Sequence, residues 1–107
     1  GQFPLWLTPE QVRILPVSEK YNDFAKKLSL ELNNHDIRAL VDERNEKVGK
    51  KIREAELEKV PYMLVVGEEE QGNNSVSARK KGEGDLGSMS IDAFVERVNN
   101  EIKEMLS

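Results

Sequence analysis

Arg44-Asn45-Glu46-Lys47, followed by Gly49, Lys51 and Arg53, packs amide, ammonium and guanidinium groups into one short stretch. Ammonium and guanidinium groups attract phosphate, so this basic stretch between two strands suits an anionic ligand. A second basic cluster, Arg79-Lys80-Lys81, holds no acid, and it follows three consecutive acids, Glu68-Glu69-Glu70. On composition alone a basic helix is most often a solvated face, and Glu70 with Arg79 could form a simple cross-hairpin ion pair worth at most about 1 kcal/mol.

Other chemistries are poorly supplied. His35 is the only histidine and falls in a helix-ending turn, and there is no cysteine, so a thiolate or histidine-rich metal site and a cysteine nucleophile are excluded. No serine sits in a G-x-S-x-G elbow. The acids at 68–70 lack the spaced ligands of a calcium loop. Gly82, Gly84 and Gly87 do not follow a buried strand in the G-x-G-x-x-G manner and read as turns beside an edge strand.

The elements that must position the charged stretch follow from periodicity. Gln11 to Val17 has the β-branched character of a first strand, with Pro16 near its exit. Ser18 is the expected N-cap of a helix that aligns Tyr21, Phe24, Ala25, Leu28 and Leu32, and Asn33-Asn34-His35-Asp36 ends it. Ile37 to Val41 is the second strand. A second helix is expected from Glu46 or Lys47, with Val48, Ile52 and Ala55 inward, Lys47, Lys50, Lys51 and Arg53 more exposed, and an end before Pro61. Tyr62 to Val66 is a continuous apolar run suited to a central strand covered on both faces.

Glu68 to Asn74 reads as a polar turn, and Ser75 to Arg79 alternates strictly, as an antiparallel partner with Ser75, Ser77 and Arg79 on its polar side. A turn at 82–84 leads to a short segment, Asp85 to Met89, and Ser90 caps a last helix with Ile91, Phe94, Val95, Val98, Ile102, Met105 and Leu106 inward. The order β-α-β-α-β-β-β-α predicts a three-layer α/β/α domain with a five-stranded mixed sheet, one strand antiparallel, and three helices. The charged loop after the second strand lies at carboxyl strand ends, where open α/β sheets bind ligands.

The chain has 107 residues, 37% hydrophobic and 34% charged, enough for one domain with one core. Residues 10–107 are expected to form it, and the uncharged Gly1 to Pro9 reads as a linker from a longer chain. No apolar run approaches the roughly 20 residues of a membrane span. A net charge of −4 argues against bulk attraction to nucleic acid, so contacts with it must be local; Arg44 to Lys59 holds six Lys/Arg against four Glu. The absence of cysteine suits a reducing cytoplasm.

Arg44-Asn45-Glu46-Lys47-x-Gly49-x-Lys51-Ile52-Arg53-Glu54-Ala55, then Pro61-Tyr62-Met63-Leu64-Val65-Val66-Gly67, resembles the C-terminal anticodon-binding domain of bacterial threonyl-tRNA synthetases. Phe3-Pro4-x-Trp6-Leu7-x-Pro9-x-Gln11-Val12 upstream, and Val76, Arg79, Gly82 and Asp85-Leu86-Gly87 downstream, extend the resemblance over essentially the whole chain. Lys81 stands where family members often have a second arginine.

The resemblance implies a partner, the anticodon stem-loop of threonine tRNA, and neither DNA nor a membrane. It implies no catalysis, cofactor or metal in this domain: ATP and zinc would belong to the catalytic domain of a homodimeric parent ligase, the isolated domain being a monomer. Single-stranded bases can be splayed out and read on their Watson–Crick edges. Glu70 would accept from guanine, Arg79 and Asn45 would meet base edges or phosphate, and Lys47, Lys51 and Lys59 would contact the phosphate backbone, with Asp42, Arg53 and Glu54 tying the loop together. Two other readings stay open: a protein-interaction or accessory module of the same fold, which would show a patch of exposed apolar residues, and a small-ligand enzyme, which would need a closed pocket with a perturbed acid or base.

Overall fold

A computed structural model describes Leu5 and residues 8–106. The expected linker residues Phe3, Pro4, Trp6 and Leu7 lie outside the described residues, as do the side chains of Met105 and Leu106. Strands β1 (Val12–Pro16), β2 (Ala39–Val41), β3 (Tyr62–Val66), β4 (Ser75–Lys80) and β5 (Gly84–Ser90) form one sheet in the order β2-β1-β3-β4-β5. β1 is parallel to both β2 and β3, and β4 is antiparallel to both β3 and β5. β4 is therefore the one reversed strand, as the sequence predicts, and the apolar run of β3 takes the central place.

Helices α1 (Asn22–Asn34) and α4 (Ile91–Leu106) cover one face, and α2 (Val48–Leu57) packs on the other against β1 and β3. This follows from the two parallel crossovers: the chain steps from β1 out to β2 through α1 and back past β1 to β3 through α2, so right-handed connections put the helices on opposite faces. The main core joins Val12, Ile14, Tyr62, Leu64, Val66, Val76 and Ala78 of the sheet to Ala25, Leu28 and Leu32 of α1 and Phe94, Val95 and Val98 of α4. Tyr62 and Phe94 meet edge to face at 5.3 Å, an arrangement worth about 0.5–1.5 kcal/mol beyond burial. The smaller core under α2 holds Leu15, Ala55, Val60 and Met63.

Local details match or correct the sequence expectations. Asp36, in the turn after α1, has φ 61°, and Ser90 Oγ accepts from Ala93 N at 3.1 Å to cap α4. Ser18 makes no side-chain cap; a short 3-10 turn, Glu19–Tyr21, precedes α1 and carries Tyr21 into the core. The segment read as a polar turn is a helix, α3 (Glu68–Asn73), ended by Asn74 at φ 54°. Three acids in its first turn favour the positive end of the helix, which the turn reading overlooked. In β5, Gly87 at φ 85° forms a bulge opposite Ala78, a backbone geometry suited to glycine.

Candidate nucleic-acid interface

Side chains alternate across the sheet, so β3 and β4 present different residues to the two faces. On the α2 face the pairs are Met63 with Arg79 and Val65 with Ser77, and Ser77 in turn faces Ser88 of β5. α2 occupies the β1 and β3 side of this face. Among the described elements no long helix covers the β4 and β5 side, which leaves Ser77 and Arg79 half-buried and Ser88 exposed. The alternation Ser75-Val76-Ser77-Ala78-Arg79 produces this polar half-face, since Val76 and Ala78 point into the main core.

Glu70 closes the half-face at the carboxyl end of β3. Its Oε1 accepts from Gly67 N at 2.8 Å, so the side chain reaches back to the start of its own helix, and Oε2 accepts from Ser77 Oγ at 3.3 Å. Arg79 lies two residues beyond Ser77 on the same strand face, roughly 7 Å along β4. Glu70 and Arg79 form no ion pair with each other among the described residues; Arg79 Nε is buried without a hydrogen-bond partner. Arg79 lines a recess of about 220 Å³ with Glu56, Val60, Met63, Lys80 and Lys81.

Asn45 and Lys47, both exposed, line a second recess with Val17, Ser18 and Arg44. Val17 joins the two regions: its N–H donates to Val66 O at 3.0 Å, and a Cβ on Gly67 would meet Val17 Cγ2 at 3.0 Å. Asn45, Lys47 and Glu70 therefore share the carboxyl end of the parallel strands. Lys59, exposed at φ 59° after α2, lies at the opposite, amino end, just before β3.

Lys51 departs from expectation. It is 1% exposed, and its ammonium donates to Pro16 O at 3.1 Å and Asp42 O at 3.0 Å rather than standing in solvent. One helical turn separates it from Ala55, which is also buried, so Lys51 falls within the inward stripe of α2; its charged type hid that position.

Several cations are already neutralised. Arg44 pairs with Asp42 at 2.7 Å and Glu54 at 2.8 Å, Lys50 with Glu46 at 3.3 Å, and Lys80 with Glu101 at 2.9 Å and Glu83 at 3.0 Å. The Arg44 guanidinium holds the Asp42 carboxyl below the usual carboxylate range. Lys47, Lys59, Arg79 and Lys81 make no ion pair among the described residues, which leaves them available to an external anion. Composition could not separate these two sets: Arg44–Glu54 and Lys80–Glu101 join separate segments, and the local pairs with Asp42, Glu46 and Glu83 depend on how each turn orients its side chains.

The profile of the anticodon binding domain family matches residues 11–101, and the chain belongs to that family. It is 59% identical over 107 residues to a threonine–tRNA ligase of Parabacteroides distasonis and 53% identical over 102 residues to that of Caldanaerobacter subterraneus. The alignments cover 100% and 95% of this chain but 16% of each relative, so the chain spans about one sixth of their length. Among solved structures, the RNA binding domain of threonyl-tRNA synthetase from Cryptosporidium parvum superposes with a TM-score of 0.87 at 30% identity, covering 94% of this chain and 26% of that one. A prolyl-tRNA synthetase from the same organism shares the fold, with a TM-score of 0.82 at 20% identity over 95% of this chain and 22% of that one.

Proposed function

We propose that this chain grips the anticodon stem-loop of threonine tRNA and reads its G and U, as the RNA-recognition part of a longer, homodimeric ligase that joins threonine to that tRNA using ATP. The observation that carries this reading is the half-face left open by the long helices, where Glu70 of α3 meets Ser77 and Arg79 follows two residues along β4 with Lys81 lining its recess, in a chain this similar to threonine–tRNA ligases.

Guanine presents two adjacent donors on its Watson–Crick edge, and the Glu70 carboxylate has acceptor positions left after serving Gly67 N and Ser77 Oγ. Arg79 lies on the same strand face and carries a planar fork of donors, suited to base oxygens or phosphate. Asn45 supplies a donor and an acceptor for uracil. Lys47 and Lys59, at opposite ends of the strands, flank the loop and hold phosphates, which position RNA without reading it. Lys51 is too enclosed for that role.

The exposed large apolar residues argue against the protein-interaction reading. Val17, Leu30, Leu40 and Leu57 belong to four different segments, and Leu30 and Leu57 sit on helices on opposite faces of the sheet.

The test is binding of the 107-residue chain to a threonine anticodon hairpin and to a hairpin with the middle G replaced, at low and moderate salt. Cognate preference that persists as salt rises supports base reading. Equal, weak, salt-sensitive binding to both hairpins reduces the site to a basic patch.

A further inference from the structure

We infer that Lys51 is a positioning residue that locks the Asp42–Lys47 loop, and with it Asn45, into place from beneath; this rests on the proposed RNA reading for its functional consequence. The argument starts at the edge of the sheet. The β1–β2 ladder ends at Ile14 with Val41, and Asp42 N donates to Ile14 O at 3.0 Å before the chain turns away. Carbonyls two residues apart on a strand point the same way, so Pro16 O faces the place where β2 would have continued. No strand residue is there to meet it. The Lys51 ammonium, rising from α2, fills that place and donates to Pro16 O at 3.1 Å.

The same ammonium donates to Asp42 O at 3.0 Å. One side chain thus joins the exits of β1 and β2 to α2 at the residue that opens the loop. On the outer side Arg44 completes the clamp: its guanidinium holds the Asp42 carboxylate through Nε at 2.9 Å and Nη2 at 2.7 Å, and reaches Glu54 of α2 at 2.8 Å. Asp42 is therefore held by its backbone carbonyl from inside and by its carboxylate from outside. The loop is ordered before any ligand arrives, so binding need not supply that ordering.

The test is Lys51→Met in the 107-residue chain, which retains the apolar stem and removes the donors. Amide exchange at Arg44 and Glu46 should accelerate by about tenfold or more relative to β3 amides, and preference for the cognate uracil should fall by at least about fivefold, the lower end for one base contact. The slope of binding against salt should stay unchanged. Loop and β3 amides accelerating together would make Lys51 a general core residue and overturn the inference. Unchanged loop exchange with a salt slope shallower by about 0.7 would show a direct phosphate contact and overturn it too.

If the variant does not fold, the unmodified chain still decides. The Lys51 ammonium signal in NMR should be protected from water and barely move when the hairpin is added, while that of Lys47 shifts; an RNA-dependent Lys51 shift as large as that of Lys47 would overturn the inference. A chain that shows no cognate preference before substitution would refute the RNA reading, while the exchange data would still decide whether the loop is pinned.

Discussion

Glu70 is asked to do two things at once, and a pair of substitutions separates them. In the folded chain its carboxylate accepts from Gly67 N at 2.8 Å and Ser77 Oγ at 3.3 Å, which uses two of about four acceptor positions and leaves two for guanine. Glu70→Ala removes both functions and leaves the buried Gly67 N–H unpaired, at a cost of about 1–3 kcal/mol. For a domain of this size about 1 kcal/mol corresponds to roughly 4 °C in Tm, so a fall of about 4–12 °C is expected. Glu70→Gln can keep the bond to Gly67 through its carbonyl oxygen, as glutamine does in capping boxes, so its Tm should fall by less than about 4 °C. Against guanine, however, the amide offers one acceptor and turns an NH2 group toward a second donor. The expected loss of preference for the cognate hairpin is about 1–3 kcal/mol, fivefold to about 150-fold, with binding of the G-replaced hairpin unchanged or slightly tighter because a negative charge is gone. Fluorescence anisotropy on both hairpins, with melting curves of both variants, makes the measurement. A glutamine variant that is stable and still prefers the cognate hairpin to within twofold of the original would refute the reasoning and leave Glu70 as a helix cap alone.

Arg79→Lys keeps the charge but removes the planar fork, so cognate affinity should drop severalfold at constant salt slope while Tm holds or rises, since the buried orphan Nε is gone; a fall seen only as a shallower salt slope would mark Arg79 as a phosphate contact. Because Arg44 holds the Asp42 carboxyl below its ordinary value of 3.8, that stabilisation is complete above this value and is lost as pH falls through the lower folded-state value. The Tm gap between the original chain and Asp42→Asn should therefore be widest near neutral pH and close on acidification, and a gap independent of pH would count against the clamp. Tyr62→Phe removes a hydrogen bond to the Glu101 carboxylate and should cost about 1.5–3 kcal/mol by urea unfolding. Burial, reinforced by Glu101, also raises the Tyr62 hydroxyl above its ordinary 10.0, so the original chain should lose stability as pH rises beyond that value while the phenylalanine variant loses less; equal alkaline losses would show that the phenol is not the group responsible.

The sheet was legible because its signals are local. The apolar run of β3, the alternation of β4 and the capped amphipathic pattern of α4 each follow from period and propensity, and the right-handed crossover rule then leaves few arrangements. What escaped the sequence was long-range pairing and polarity placed against type. Lys51 looked solvated because lysine seldom enters an interior, although its spacing from Ala55 and Val48 marked it as inward. Arg44 looked available to an anion until its pairs with Asp42 and Glu54 came together through folding. The Gly67-x-x-Glu70 spacing was the signal that α3 begins there, overlooked because glycine has no side chain with which to form the usual reciprocal cap.

Net charge and site geometry together constrain how such a surface can work. A chain at −4 carries no general field to hold RNA, and of its sixteen basic residues several are consumed by internal pairs. Of the cations that make no ion pair among the described residues, Arg79 and Lys81 border the open half-face, and Lys47 and Lys59 stand at opposite strand ends, while the acids of α3 stand at the edge of that half-face. On the proposed reading, a wrongly matched loop would meet few phosphate contacts and one unsatisfied carboxylate, a repulsive element as well as a missing attraction. Low charge keeps the sequence-independent share of binding small, so contacts to base edges make up a larger fraction of the total. On this argument, adding surface lysines around the half-face should tighten binding to every hairpin while narrowing the ratio between cognate and G-replaced RNA. An unchanged ratio would mean that phosphate and base contacts act independently on this surface.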